Sequence, residues 1–163
     1  MIRFYNTISR EKENFTPMVN GEVSLYTCGP TVYDYAHIGN FRAYIFEDLL
    51  RRFLEAKKFK VQHIMNITDI DDKTIRRSIE ENLSLANFTN KYTDAFHEDV
   101  KALNILPAHN YPRATEFIEQ MIDIIKGLES KDYTYLTEDG SVFFKISKFK
   151  EYGRLANLDP DQL

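Results

Sequence analysis

Two short apolar runs with one long amphipathic stretch between them constrain this chain most. Residues 22–28 (EVSLYTC) alternate polar and apolar positions, with Val23, Leu25 and Thr27 on one face, which predicts a strand. Asn20-Gly21 marks a turn before it and Gly29-Pro30 stops it. Then Phe41, Tyr44, Ile45, Leu49, Phe53 and Leu54 recur at helical spacing, while Arg42, Asp48, Arg51, Arg52, Glu55 and Lys58 take the other side. Asn40 is read as the N-cap of that helix. Residues 59–67 (FKVQHIMNI) form a second strand, apolar enough to be buried on both faces as parallel strands are. Strand, long helix and strand make a right-handed crossover unit, the repeating piece of a doubly wound α/β sheet. Ligands of such sheets sit at the carboxyl ends of the strands, where Cys28 and Thr68 fall.

The rest of the chain is mostly helical, with helices expected over 72–82, 85–103 and 112–131, the last carrying Ala114, Phe117, Ile118, Met121, Ile122, Ile125 and Leu128 on one face. Residues 133–136 and 141–146 flank TEDG and read as a β-hairpin. Residues 1–21 read as an extension without a convincing strand. Two parallel strands do not make a stable doubly wound sheet, so the sheet is expected to be incomplete.

Composition narrows the function classes. At 163 residues, 43% hydrophobic and 28% charged, the chain is sized for one globular domain and is not compositionally disordered. Its formal charge of -4 argues against coating nucleic acid by charge alone. No apolar run approaches the roughly 20 residues of a membrane span, and no apolar signal core follows Met1, so a cytoplasmic address is expected. A single cysteine, Cys28, excludes an internal disulfide framework.

Three constellations can carry chemistry. Residues 28–40 (CGPTVYDYAHIGN) join a strand end to a helix start, where unpaired N–H groups favour a phosphate, Gly39 admits close approach and His37 offers an imidazole donor. The competing reading is a plain connecting loop. Cys28 can be a metal ligand, a nucleophile or a small buried hydrophobe; His63, His97 and His109 lack ligand spacing and read as surface or satisfied core histidines. Residues 66–73 (NITDIDDK) offer three carboxylates, but without the glycine of a calcium loop they read as a helix cap with acidic residues in its first turn. Arg51, Arg52, Lys57, Lys58, Lys60, Arg76 and Arg77 read as solvated helix faces.

The stretch LYTCGPTVYDYAHIGNFR, followed by HIMNITDIDDK, LNIL and PRAT and preceded by FYNT, closely resembles the N-terminal half of the cysteinyl-tRNA synthetases, class I aminoacyl-tRNA synthetases, over essentially the whole chain. The resemblance implies an incomplete, Rossmann-like parallel α/β sheet, with residues 1–110 the N-terminal half of the catalytic domain and 111–163 the start of the connective insertion, a helical segment and a β-hairpin. It implies ATP-dependent activation of L-cysteine and transfer to tRNA(Cys). It assigns Pro30, Thr31, His37, Gly39 and Asn40 to ATP binding, with His37 and Asn40 catalytic. Asn40 departs from the second histidine of the family's pattern, so it can donate a hydrogen bond but carry no charge. Cys28, Gly29, Thr31 and Thr68 are assigned to the cysteine pocket, and Cys28 is also the first ligand of a zinc ion that receives the substrate thiol.

That metal makes chemical sense, because it binds thiolate at about 2.3 Å and discriminates against a serine hydroxyl, whereas apolar contact separates such similar shapes by only about 1–3 kcal/mol. The implied cofactors are one Zn2+ per full-length subunit, with its other ligands outside this chain, and ATP with Mg2+ as substrate. The full-length enzyme is expected to be a cytoplasmic monomer with no membrane association. The chain itself reads as a fragment or unfinished gene product, lacking aminoacylation activity alone and binding zinc weakly. Two rival readings are a cysteine:amino-sugar ligase of thiol biosynthesis and a non-catalytic nucleotide- or partner-binding remnant.

Overall fold

The computed structural model describes residues 1–156 and 158. In chain order its elements are β1 (Arg3–Asn6), β2 (Glu11–Asn14), β3 (Glu22–Thr27), α1 (Ile38–Ala56), β4 (Lys60–Met65), α2 (Asp72–Glu80), α3 (Leu85–Ala102), a 3-10 turn at Ala114–Phe117, α4 (Ile118–Glu129), β5 (Thr134–Leu136), β6 (Val142–Phe144) and a 3-10 turn at Ile146–Lys148. Their contacts divide the chain into two compact units, Pro17–Ile118 and Met1–Thr16 together with the described residues from Glu119 onward.

The first unit is built on the expected crossover. β3 and β4 pair in parallel from Glu22↔Lys60 to Thr27↔Met65, with α1 between them in sequence. The ladder continues past the strand ends at Thr31↔Thr68, and the segment after α3 lies parallel on the other side of β4 through Ile64↔Asn110 and Ile67↔Arg113. The N–H groups of Met65 and Ile67 donate to the carbonyls of Asn110 and Pro112 at 3.1 and 2.9 Å. One core gathers Phe41 and Tyr44 of α1, Met65 of β4, Phe96 and Val100 of α3, and Ile105 and Ala108; a second gathers Val32, Ile67, Phe88 and Tyr92.

Several expectations are corrected here. β4 is not buried on both faces: Val61, His63 and Met65 are buried while Lys60 and Gln62 are exposed. The helices that pack with Met65 cover one face, so the period-2 alternation of a one-sided sheet returns. The apolar face of α1 is divided, with Phe41, Tyr44 and Leu54 buried but Ile45, Leu49 and Phe53 exposed beside Ile38 and Phe46. Arg51, read as a solvated cation, is buried: its guanidinium donates to the Glu55 carboxylate at 2.8 Å and the Pro107 carbonyl at 2.7 Å. This ties α1 to the segment that follows α3. The helix expected over 112–131 begins late, at Ala114 as a 3-10 turn and at Ile118 as α4, because the Ala114 N–H is taken by the Ile67 carbonyl at 3.0 Å and holds the preceding backbone extended.

In the second unit β1 and β2 pair antiparallel from Arg3↔Asn14 to Asn6↔Glu11, strands that the sequence reading missed. β5 and β6 form the expected hairpin, shorter at its ends, with the Tyr135 and Phe143 rings stacked at 5.6 Å. α4 keeps its apolar face but buries no residue completely.

The acidic stretch after β4 divides into two structural roles. Asp71 is the N-cap of α2, its Oδ1 accepting the Thr74 N–H at 2.8 Å, and Asp72 lies in the first turn, as the capping reading anticipated. Asp69 is only 3% exposed. It accepts the Thr115 N–H at 2.9 Å, the Thr115 hydroxyl at 2.7 Å and Arg113 Nε at 2.9 Å. Burial alone would raise its pKa, but the hydrogen bonds from Thr115 and the Arg113 guanidinium outweigh it and hold the carboxyl below the ordinary range. A depressed carboxylate stabilises the fold above its unfolded pKa of roughly 3.9 and loses that contribution as pH falls through the lower folded value. Asp69→Asn is therefore expected to cost about 2–4 kcal/mol by denaturant unfolding near neutral pH, with the gap from wild type closing as the medium is acidified below pH ~4. Equal stability of the two proteins at neutral pH would contradict this account.

Candidate active site

The chain between β3 and α1 cannot take an ordinary path. A Cβ built on Gly29 would lie 1.8 Å from the Asn66 carbonyl oxygen, so only glycine lets the two strand ends approach this closely. The Gly29 N–H also donates to Asn66 Oδ1 at 3.1 Å, and Asn66 Nδ2 donates to the Thr68 hydroxyl at 3.2 Å. Val32 N–H then donates to the Thr68 carbonyl, and Thr68 N–H to the Pro30 carbonyl. Buried Pro30 and half-buried Thr31 are thereby fixed beside Thr68 at the sheet rim.

α1 starts earlier than expected, and its N-cap is His37, not Asn40. His37 Nδ1 accepts the Gly39 N–H at 3.0 Å, and Asn40 Oδ1 accepts the His37 N–H at 3.1 Å, a reciprocal cap. Sequence reading passed over it because imidazole is an uncommon cap and Gly39 looks like loop. With Nδ1 serving as acceptor, the neutral ring carries its proton on Nε2. Gly39 has a local purpose too: a Cβ there would lie 2.7 Å from His37 Cε1, so glycine lets the ring fold over the first turn.

A cleft of ≈ 340 Å³ opens at this rim, lined by Gly29, Pro30, Thr31, Tyr33, Asp34, Tyr35, Ala36, His37, Asn40, Tyr44 and Lys73. Its size is that of a small-ligand site. Of the residues singled out in the sequence, Gly29, Pro30, Thr31, His37 and Asn40 share it. Cys28, Gly39 and Thr68 stand just outside: Cys28 is exposed and precedes Gly29, Gly39 underlies the His37 ring, and Thr68 pairs with Thr31. Tyr33, Asp34, Tyr35 and Ala36 lie within the 28–40 stretch without having been assigned singly, and Tyr44 and Lys73 were missed. Tyr44 was detectable as the residue one turn after Asn40, whereas Lys73 is remote in sequence and only the fold brings it in. Burial pushes the Tyr44 hydroxyl up to about 12, with Glu47 and Cys28 adding to the rise, so it stays a neutral hydrogen-bonding group.

Beneath the strand ends the Thr27 hydroxyl lies 2.9 Å from Nε2 of buried His63. Burial, Arg51 and His109 all lower the His63 pKa, and burial raises that of Glu47, so both groups are held toward their neutral forms. His63 Nδ1 has no partner, so the reading of His63 as a fully satisfied core histidine is corrected. Among the described residues no group of three His, Cys, Asp or Glu side chains is placed to hold a metal ion. The donor set here is one thiol.

Residues 14–163 match the family model described as "tRNA synthetases class I (C) catalytic domain". The chain belongs to that family. It is 56% identical over 162 residues to a cysteine–tRNA ligase of Brachyspira hyodysenteriae, covering 99% of this chain and 34% of the relative. It is 56% identical over 154 residues to one of Chlamydia caviae (94% and 32% covered), and 49% identical over 162 residues to one of Protochlamydia amoebophila (99% and 34%). The chain thus spans about a third of the length of the curated relatives it matches.

The two glycines of this site make different predictions. Gly29→Ala must push backbone against backbone and is expected to destabilise by about 1–3 kcal/mol or more in thermal or denaturant melts. Gly39→Ala replaces a helical glycine but pushes the His37 ring off its cap, so the two effects should offset and leave stability within about 1 kcal/mol of wild type.

Proposed function

We propose that this chain carries the ATP- and cysteine-binding part of a cysteine–tRNA ligase. The substrates are L-cysteine, ATP and tRNA(Cys); the first step forms cysteinyl-adenylate and the second transfers cysteine to the tRNA. The observation that carries this reading is the His37 cap, which commits Nδ1 to the first turn of α1 in a side chain that lines the cleft. In the activation step the cysteine carboxylate oxygen attacks the α-phosphorus of ATP and pyrophosphate leaves. Negative charge that grows on the phosphate oxygens is met by His37 Nε2–H, a donor positioned before the reaction begins. Asn40 acts through His37, since its amide oxygen holds the His37 N–H. Gly29, Thr31 and Thr68 form the rim against which the cysteine substrate is held, and the chain orients the reactants without supplying an attacking group.

Zinc in this family would take Cys28 as one ligand and would bind the substrate sulfur as thiolate. One exposed thiol does not make a metal site, so no step is derived through the ion. Magnesium would accompany ATP. We assign residues 1–110 to the first half of the catalytic domain and 111–163 to the insertion that interrupts it. No helix among the described residues is long and apolar enough to cross a membrane, which accords with a cytoplasmic enzyme, taken here to be a monomer at full length.

His37→Asn separates the chemistry from the cap, because asparagine is a good N-cap but lacks the ring donor. In the full-length protein that carries this chain, cysteine-dependent ATP–pyrophosphate exchange should fall on the order of 10²-fold, while the melting temperature stays within a few degrees. Unchanged exchange would remove His37 from the mechanism. The 163-residue chain alone is expected to bind ATP and to charge no tRNA, checked by calorimetry and by acceptance of labelled cysteine.

A further inference from the structure

We propose that Lys73, in the first turn of α2, is a phosphate-binding residue of the cleft and takes the β- and γ-phosphates of ATP. The inference rests on the nucleotide reading above and adds a residue to it. An anion held at the start of α1 would ordinarily be served by unpaired backbone N–H groups. Here most of those donors are engaged: Gly39 N–H donates to the His37 ring, and Asn40 and Phe41 N–H donate to the His37 carbonyl at 2.9 and 3.2 Å, which leaves Ile38 N–H to serve alone. A triphosphate therefore needs positive charge from side chains.

The cleft has one carboxylate in its lining, Asp34, which would repel a triphosphate. Its charge is met by Arg77, whose Nη1 donates to Asp34 Oδ2 at 2.7 Å, so that guanidinium is already committed. Lys73 is the lysine of the lining, and among the described residues it forms no ion pair. Its Nζ lies 4.9 Å from the centroid of the Tyr33 ring, a cation–π contact that holds the ammonium against a wall of the cleft without neutralising it.

Its place in the fold points the same way. A cation in the first turn opposes the helix dipole, whereas Asp72 beside it follows the rule. A residue that breaks a local rule without a structural return is expected where function requires it. An ammonium is a point charge that binds phosphate oxygens without reading the base. It forms and breaks no covalent bond; it offsets charge on the end of ATP that departs as pyrophosphate.

The test is calorimetry on the full 163-residue chain with ATP, inorganic pyrophosphate and adenosine at fixed magnesium, comparing wild type with Lys73→Met and Lys73→Arg. Lys73→Met is expected to weaken ATP and pyrophosphate about tenfold, leave adenosine unchanged and flatten the salt dependence of ATP binding, while Lys73→Arg stays near wild type. Unchanged ATP affinity in Lys73→Met overturns the proposal and leaves the nucleotide reading intact. An equal loss for adenosine assigns Lys73 to support of the Tyr33 loop and also overturns it. A wild-type chain that binds none of the three ligands overturns both. Because Lys73 is exposed, matched melting curves confirm that the variants are folded; if Lys73→Met is not, Lys73→Gln takes its place with the same expected outcomes.

Discussion

The parallel ladder of β3 and β4, extended past the strand ends by the contact of Gly29 with Asn66, is the constraint on which the rest of the site depends. Side-chain-free backbone at position 29 lets the ladder resume at Thr31↔Thr68 after Cys28 has turned out to solvent. The same resumption fixes where the chain must leave the sheet, and hence where the loop carrying Tyr33, Asp34 and Tyr35 arches before α1 begins. A single steric fact thus determines the positions of the rim and the cleft.

His37 joins two requirements that often compete. It satisfies an orphan donor at the start of a long helix, and the same side chain lines the cleft. Below this polar surface lie groups held toward neutrality. The Glu47 carboxyl is raised by burial, partly offset by its hydrogen bond from Thr27, and the His63 imidazole is lowered. Among the described residues Glu47 Oε2 and His63 Nδ1 are buried without partners, which costs stability. Lys73, on α2, is the lysine in the lining of the cleft, and Glu47 and His63 lie outside that lining.

The crossover, the hairpin of β5 and β6 and the three helices α1 to α3 could be read from the sequence, because each has a strong hydrophobic period and clear stops. Period alone did not reveal which face is covered. Val61, His63 and Met65 alternate with exposed Lys60 and Gln62 because the packed helices cover only one side of the sheet, information that is absent from FKVQHIMNI itself. The strands β1 and β2 were missed since β2, EKEN, has no apolar residue to betray it. The start of α4 was misplaced by a long-range hydrogen bond from Ala114 to Ile67. For the site, the motif residues around Gly29 and His37 were legible and local. Tyr44 follows from helical spacing after Asn40, whereas Lys73 and Arg77 enter through tertiary contact, and the burial of Arg51 depends on carbonyl and imidazole partners more than fifty residues away.

The outer stripe of α1 has a consequence for handling the molecule. Ile38, Ile45, Phe46 and Leu49 are 89, 48, 66 and 63% exposed on one side of a helix whose other side is already in the core. Water ordered along such a ridge is released whenever two greasy surfaces meet, and that gain strengthens on warming from the cold. Light-scattering mass should accordingly climb with concentration and with temperature, and glass, resin or micelle surfaces will compete for the same ridge.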